Sequence, residues 1–209
     1  MIETLNDIVN DYIHEYRAIA KAEVRSFARE PTLSAAVSRA AKCQLPDGKR
    51  HPHQYRIPAA SLQEAERRLL SALRSIEQAK SFDELHKIVK EHINDIWMID
   101  ELTVYDTAHR IGGFRRLMPE LVYLHRGTRD GARMLGFSGS RTTLSRSALP
   151  PEFVELEAYE IEDCLCIYKD KLRGAAKPNK TSCRRTAINF RKRKKTGRCG
   201  LHSKRQVSS

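Results

Sequence analysis

SFDELHKIVKEHINDIWMIDELTVYDTAHRIGGF, Ser81 to Phe114, is the stretch whose reading decides the fold. Ser81 and Glu84 stand three residues apart, the spacing at which a cap hydroxyl and a carboxylate satisfy each other's backbone amides at a helix start. Leu85, Ile88, Val89 and Ile93 then recur at three- and four-residue steps, which predicts one apolar helix face. A second helix is predicted from Thr103 to Ile111, ended by Gly112 and Gly113.

Upstream, Ser61 and Glu64 repeat the box ahead of Leu62, Leu69, Leu70, Leu73 and Ile76. Two boxes about twenty residues apart predict an antiparallel helical pair with a short turn. At the start of the chain, Ile2, Leu5, Val9, Tyr12, Tyr16 and Ile19 mark one face of an amphipathic helix over residues 2–28. A short helix follows from Thr32 to Lys42, behind Pro31. The segment from Cys43 to Pro58 holds three prolines, a glycine and several basic residues, and reads as a long loop. Downstream, Pro119 starts a short helical turn and residues 127–135 form another helix. Residues 137–148 are a Ser-, Thr-, Gly- and Arg-rich loop, and Pro150 and Pro151 open the last helical region, 152–172. No segment sustains two-residue alternation. The expectation is an all-α body over residues 2–172. Its parts are N-terminal helices and a basic loop (1–60), a helical domain (61–172) and a disordered basic tail (173–209).

Charge sharpens this division. The chain carries 38 Lys and Arg against 26 Asp and Glu, a net of +12. From Lys171 onward there are 14 basic residues and no acidic one, leaving 24 basic against 26 acidic residues before it. The excess belongs to the tail, densest in Arg191, Lys192, Arg193, Lys194 and Lys195. Such a run displaces counterions from nucleic acid, so nucleic acid is the expected partner and affinity should fall steeply with salt. Acidic proteins and anionic membranes are weaker alternatives for the same charge. No run approaches the roughly 20 apolar residues of a membrane span, and the acidic start lacks the pattern of a signal peptide. Five cysteines without framework spacing fit a reducing compartment. The expected location is cytoplasmic, nucleoid-associated in a bacterium or nuclear in a eukaryote.

The run from Ile93 to Leu135 resembles the helix-hairpin-helix unit of the DNA-glycosylase-like superfamily. There a Gly-apolar-Gly hairpin lets a DNA phosphate approach the amides of the second helix. The hairpin slot here is Met98-Ile99-Asp100, with Ile96 and Ile99 as apolar anchors and Thr103, Val104 and Ala108 in the second helix. Both glycine positions are replaced. The superfamily's catalytic Lys slot falls near Leu102 and Thr103, and its Asp slot near Tyr123, so the resemblance implies a non-catalytic, DNA-binding relative.

Several constellations carry possible chemistry. His125, Arg126, Gly127, Thr128 and Arg129, extended by Arg133 and Arg141, join donors to a glycine and are the expected phosphate-contacting surface of the body. Asp106 and His109, three residues apart, suit a base and its orienter but are more often a surface pair. With His125 and Arg126 they are the first candidates if the chain is instead a DNA-processing enzyme with a displaced active site. Glu160, Glu162 and Asp163 are expected as solvated helical carboxylates. Trp97 is expected as a core anchor, or, if exposed, as a stacking platform for a base. Cys164 and Cys166 point to opposite sides of a helix and are expected in the core. The basic loop at His51, His53 and Gln54 is expected to contact phosphate or pack on the helices. Neither a metal nor a cofactor is implied. A third expectation is an assembly module binding another protein through the N-terminal helix.

Overall fold

The structure, a computed structural model, describes residues 4–175. Thr4 and Asp7 close a reciprocal capping box at the start of α1 (Leu5–Glu15). The amphipathic opening is two helices, because the chain breaks at Tyr16 before α2 (Arg17–Ala28). The break lets α1 pack on the C-terminal elements while α2 packs on α7 (Glu101–Arg115). Thr32 caps α3 (Leu33–Ala41) by accepting from the Ala35 amide at 3.1 Å. The long loop is partly organised, with a bridge between Gln44 and Arg50 and a 3-10 turn at Pro52–Gln54.

The next three helices are α4 (Ala59–Ser71), α5 (Leu73–Gln78) and α6 (Phe82–Ile93). Ser61 caps nothing: it is buried inside α4, and Pro58, with φ fixed by its ring, leads into that helix. Ser81 does cap α6, accepting from the Glu84 amide at 3.2 Å. Glu84 reaches back one residue further than a capping box requires, to the Lys80 amide at 2.7 Å.

Gly112 and Gly113 lie within α7, which ends instead at Arg116 in the left-handed region (φ 58). Gly112 is needed for the exit, since a Cβ there would sit 2.4 Å from the Leu117 carbonyl oxygen. No helical turn follows Pro119. Residues Leu121–Tyr123 form β1, antiparallel to β2 (Thr143–Ser145), with Val122 opposite Leu144. Strands of three residues are too short for alternation to show in sequence. The chain continues through α8 (Arg126–Met134), α9 (Ala158–Ile167) and α10 (Lys169–Ala175). The described body is thus all-α with one small sheet. Among the described residues no helix is long and apolar enough to cross a membrane.

Apolar residues gather in two clusters. One joins Phe27 of α2 with α3 to α7. The other joins α1, the two strands, α8, α9 and α10. Leu5, Ile8, Val9 and Tyr12 of α1 are spent in the second cluster. Of the apolar face expected to meet a protein partner, Leu5, Val9 and Tyr12 therefore lie inside the body, while Tyr16 and Ile19 stay exposed. Helix α7 has no solvent face of its own, being buried at Thr103, Val104, Tyr105, Thr107, Ala108, Arg110 and Ile111.

Candidate functional site

Polar side chains collect where α2, α7 and α9 meet the loop after α3. Arg110, 4% exposed, projects from the middle of α7. Its Nε donates to Glu23 Oε1 of α2 at 2.9 Å, and its Nη1 donates to Gln54 Oε1 of the loop at 3.0 Å. Gln54 turns its amide nitrogen the other way and donates to Asp106 Oδ2 at 2.7 Å. One buried glutamine therefore clamps a carboxylate and a guanidinium one helical turn apart. From α9, Asp163 accepts from the Tyr12 hydroxyl at 3.1 Å, and Glu162 accepts from the Thr128 hydroxyl at 2.7 Å while also bonding to His125 Nε2.

These groups surround a cavity of about 70 Å³ lined by Ala20, Glu23, His53, Tyr105, Asp106, His109, Arg110, Tyr159, Glu162 and Asp163. Burial pushes the Asp106 carboxyl up to about 7, despite the opposing pull of Arg110. Burial also pushes Asp163 upward, reinforced by Glu162. Glu23 goes the other way: burial would raise it, but the Arg110 guanidinium outweighs that and holds it low. Burial depresses His109 to about 4, and burial with the Arg110 charge depresses His51 to about 4. Both imidazoles are neutral near pH 7, so the 3.4 Å approach of His51 Nε2 to Glu23 is no ion pair there. His125 is shifted upward, because Glu162 outweighs the cost of burying it. A cavity whose carboxyls titrate apart is equipped for acid–base chemistry or for binding a charged group.

The phosphate surface expected from sequence is divided by the fold. His125 and Thr128 turn inward onto Glu162 and are 4% and 0% exposed, because α8 packs closely on α9. Gly127 serves that packing: a Cβ there would meet Cys166 Sγ at 2.6 Å. Arg129 is held by Glu101 and by the Leu124 carbonyl oxygen, and Arg133 pairs with Asp130 at 2.8 Å. Arg126 and Arg141 stay exposed. Arg191 to Lys195 lie outside the described residues.

Other expectations change more sharply. Glu160, Glu162 and Asp163 are not solvated. Glu160 is fully buried and held by Arg17 at 2.9 Å, and Glu162 is 5% exposed. Asp106 and His109 are not a surface pair, since both line the cavity. Trp97 is no core anchor but 73% exposed, on the turn between α6 and α7, while Ile96 and Ile99 beside it are buried. Cys164 is buried, and Cys166 is only partly so. His51 and Gln54 pack inward from the basic loop. Sequence reasoning passed over Glu23, Tyr105, Arg110 and Tyr159. Neither charge stands out in sequence, since Glu23 lies between Lys21 and Arg25 and Arg110 follows His109.

A second, larger cleft of about 440 Å³ lies across Tyr105 from the cavity. Lys87 and Lys90 of α6, Ile99 and Asp100 of the turn, Tyr123 and Arg129 are among its walls. Asp100 caps α7, accepting from the Thr103 amide at 2.8 Å and from the Thr103 hydroxyl at 2.8 Å. The N-terminus of α7 is thus capped by the chain's own carboxylate. No protein-family model, curated protein or solved structure matches this chain.

Proposed function

We propose that this chain is a non-enzymatic nucleic-acid-binding protein, with DNA favoured over RNA as the partner. The observation that carries the reading is the exposure of Trp97, with Met98 46% exposed beside it, at the tip of a tight turn. A large aromatic held in water on a tight turn between two packed helices suits stacking on an unpaired or splayed base, which is tolerant of sequence. Lys87 and Lys90, on the helix that leads into that turn, supply cationic walls to the adjoining cleft. The basic run from Lys171 onward adds loose phosphate affinity. Because Asp100 fills the helix N-terminus, backbone contact comes from lysine and arginine side chains and not from the hairpin amides.

The test is a salt-titrated binding measurement on the full chain, on a chain truncated after residue 175, and on Trp97→Ala. Truncation should flatten the salt dependence, and Trp97→Ala should weaken binding to single-stranded or gapped DNA at every salt concentration. Failure of both intact and truncated protein to bind DNA or RNA at low salt would end the reading. Comparing matched DNA and RNA strands decides the preference.

A second reading, an enzyme acting on nucleic acid, is favoured by the convergence of Asp106 and His109 on one cavity. Incubation with damaged and undamaged duplexes, with and without magnesium, separates the two: base release or strand cleavage that Asp106→Asn abolishes would replace the binding-only reading.

A further inference from the structure

The carboxyls around the 70 Å³ cavity outnumber the cations that meet them. Glu23, Asp106, Glu162 and Asp163 line it, and the cations that meet them are Arg110, bound to Glu23 and 3.7 Å from Asp106, and His125, bound to Glu162. Neutral His51 and His109 contribute no charge near pH 7. Among the described residues Asp163 is left without a cation of its own and Asp106 with only a share of Arg110, so burial holds both carboxyls toward their neutral form until a cation reaches them.

An independent observation concerns the wall between the carboxyls. Tyr105 is 3% exposed, lines the cavity, and its hydroxyl has no hydrogen-bond partner among the described residues. Its phenol is held up by burial and then by Glu162, Asp163 and Asp106, the carboxyls that line the cavity with it. Buried hydroxyls are almost always bonded, so an orphaned one aimed into a polar cavity marks a missing partner. Tyr105 stacks on His109 with ring centroids 5.8 Å apart, and His109 lies 5.0 Å from Tyr159. Aromatic walls beside carboxylates suit an organic cation, attracted by both ring and charge. Among the described residues no three His, Cys, Asp or Glu side chains are grouped to hold a metal ion.

We propose that this cavity is a receptor for a compact organic cation, an ammonium or amidinium group of a few heavy atoms, bound between Asp106, Asp163 and the hydroxyl of Tyr105. The volume admits such a group. His53 of the loop, which is exposed, and Ala20 of α2, which is partly so, are among its walls. Binding here is independent of the nucleic-acid interface, which lies across Tyr105.

The probes are guanidinium chloride and methylammonium chloride at low millimolar concentration, with potassium chloride, acetamide and tetramethylammonium chloride as controls. Chemical-shift titration of the full chain at pH 8 should show saturable perturbation of the Tyr105 and His109 ring resonances by the first two alone. Tyr105→Phe removes a hydroxyl that bonds nothing among the described residues, so it should keep the fold and weaken guanidinium binding about five- to tenfold. Asp106→Asn should weaken it further. No saturable shift with either cation in a protein of native spectrum would overturn the proposal. So would equal response to acetamide, or unchanged affinity in folded Tyr105→Phe.

Discussion

Gln54 and Asp106 are joined by a 2.7 Å hydrogen bond from the glutamine amide to the carboxylate, while the same glutamine accepts from Arg110 through its other end. A loop residue thereby ties together two charges on the central helix, and the tie spans 52 positions of sequence. Gln54→Leu fills the space but leaves both charges short of a partner. Loss of about 2 kcal/mol is expected, in line with an unsatisfied buried polar group, and urea denaturation at pH 7 measures it. A loss below about 0.5 kcal/mol would mean that water takes over both bonds.

Asp106 also sets a pH dependence. Its folded pKa, about 7, lies above the ordinary carboxyl value of 3.8. The folded state therefore holds this proton more tightly than the unfolded chain between about pH 4 and pH 7, and this group costs stability as pH rises through that window. Asp106→Asn removes the cost. The variant's stability relative to the wild type should improve across pH 4 to 7 and level off above, by about 1.4 kcal/mol for each unit of the shift. The differential measurement isolates Asp106 from His51 and His109, which favour the opposite trend. Parallel stability curves for the two proteins would refute it.

Close helix packing depends on Gly131. A Cβ there would lie 2.2 Å from the Leu165 carbonyl oxygen and 2.9 Å from its carbon, both backbone atoms of α9. Gly131→Ala must push α8 away from α9 and should cost about 3 kcal/mol. At Gly139 the atoms in the way belong to the exposed, movable side chain of Arg133, so Gly139→Ala should cost under about 1 kcal/mol. Thermal denaturation of the pair checks the contrast.

Met98 adopts φ 66, the left-handed region. A residue with a Cβ pays about 1–2 kcal/mol there, and β-branching makes it worse. Met98→Val should therefore destabilise by about 1–2 kcal/mol, although the side chain is largely exposed. Met98→Gly should be neutral or slightly stabilising, since its relief of strain offsets its gain in unfolded-state freedom. Equal stability of the two variants would show that the turn does not hold this conformation in solution.

Trp97 separates function from fold. It is 73% exposed, so Trp97→Ala should change stability by no more than about 0.5 kcal/mol. Its effect on binding to single-stranded DNA should be about 1–3 kcal/mol, the worth of one stacked base. A large loss of stability with unchanged binding would assign it a structural role instead.

The sequence by itself determined the all-helical character, the capped start of α6 at Ser81, the approximate limits of α3 and α8, and the crowding of positive charge after Lys171. These follow from local chemistry: helical periodicity, caps and charge runs act within a few residues of one another. Tertiary structure alone decided which faces were buried. Glu160, Glu162 and Asp163 have the spacing of a solvated helix face, and only the approach of Arg17, Thr128 and Tyr12 from distant parts of the chain turns that face inward. Asp106 and His109 look like any surface pair until α2, α9 and Gln54 enclose them. Trp97 looks like an anchor until Ile96 and Ile99 take the core positions on either side. The strands escaped notice because three residues are too few for a period. The polar cavity escaped notice because its members come from four segments, and no spacing along one segment encodes an encounter between them.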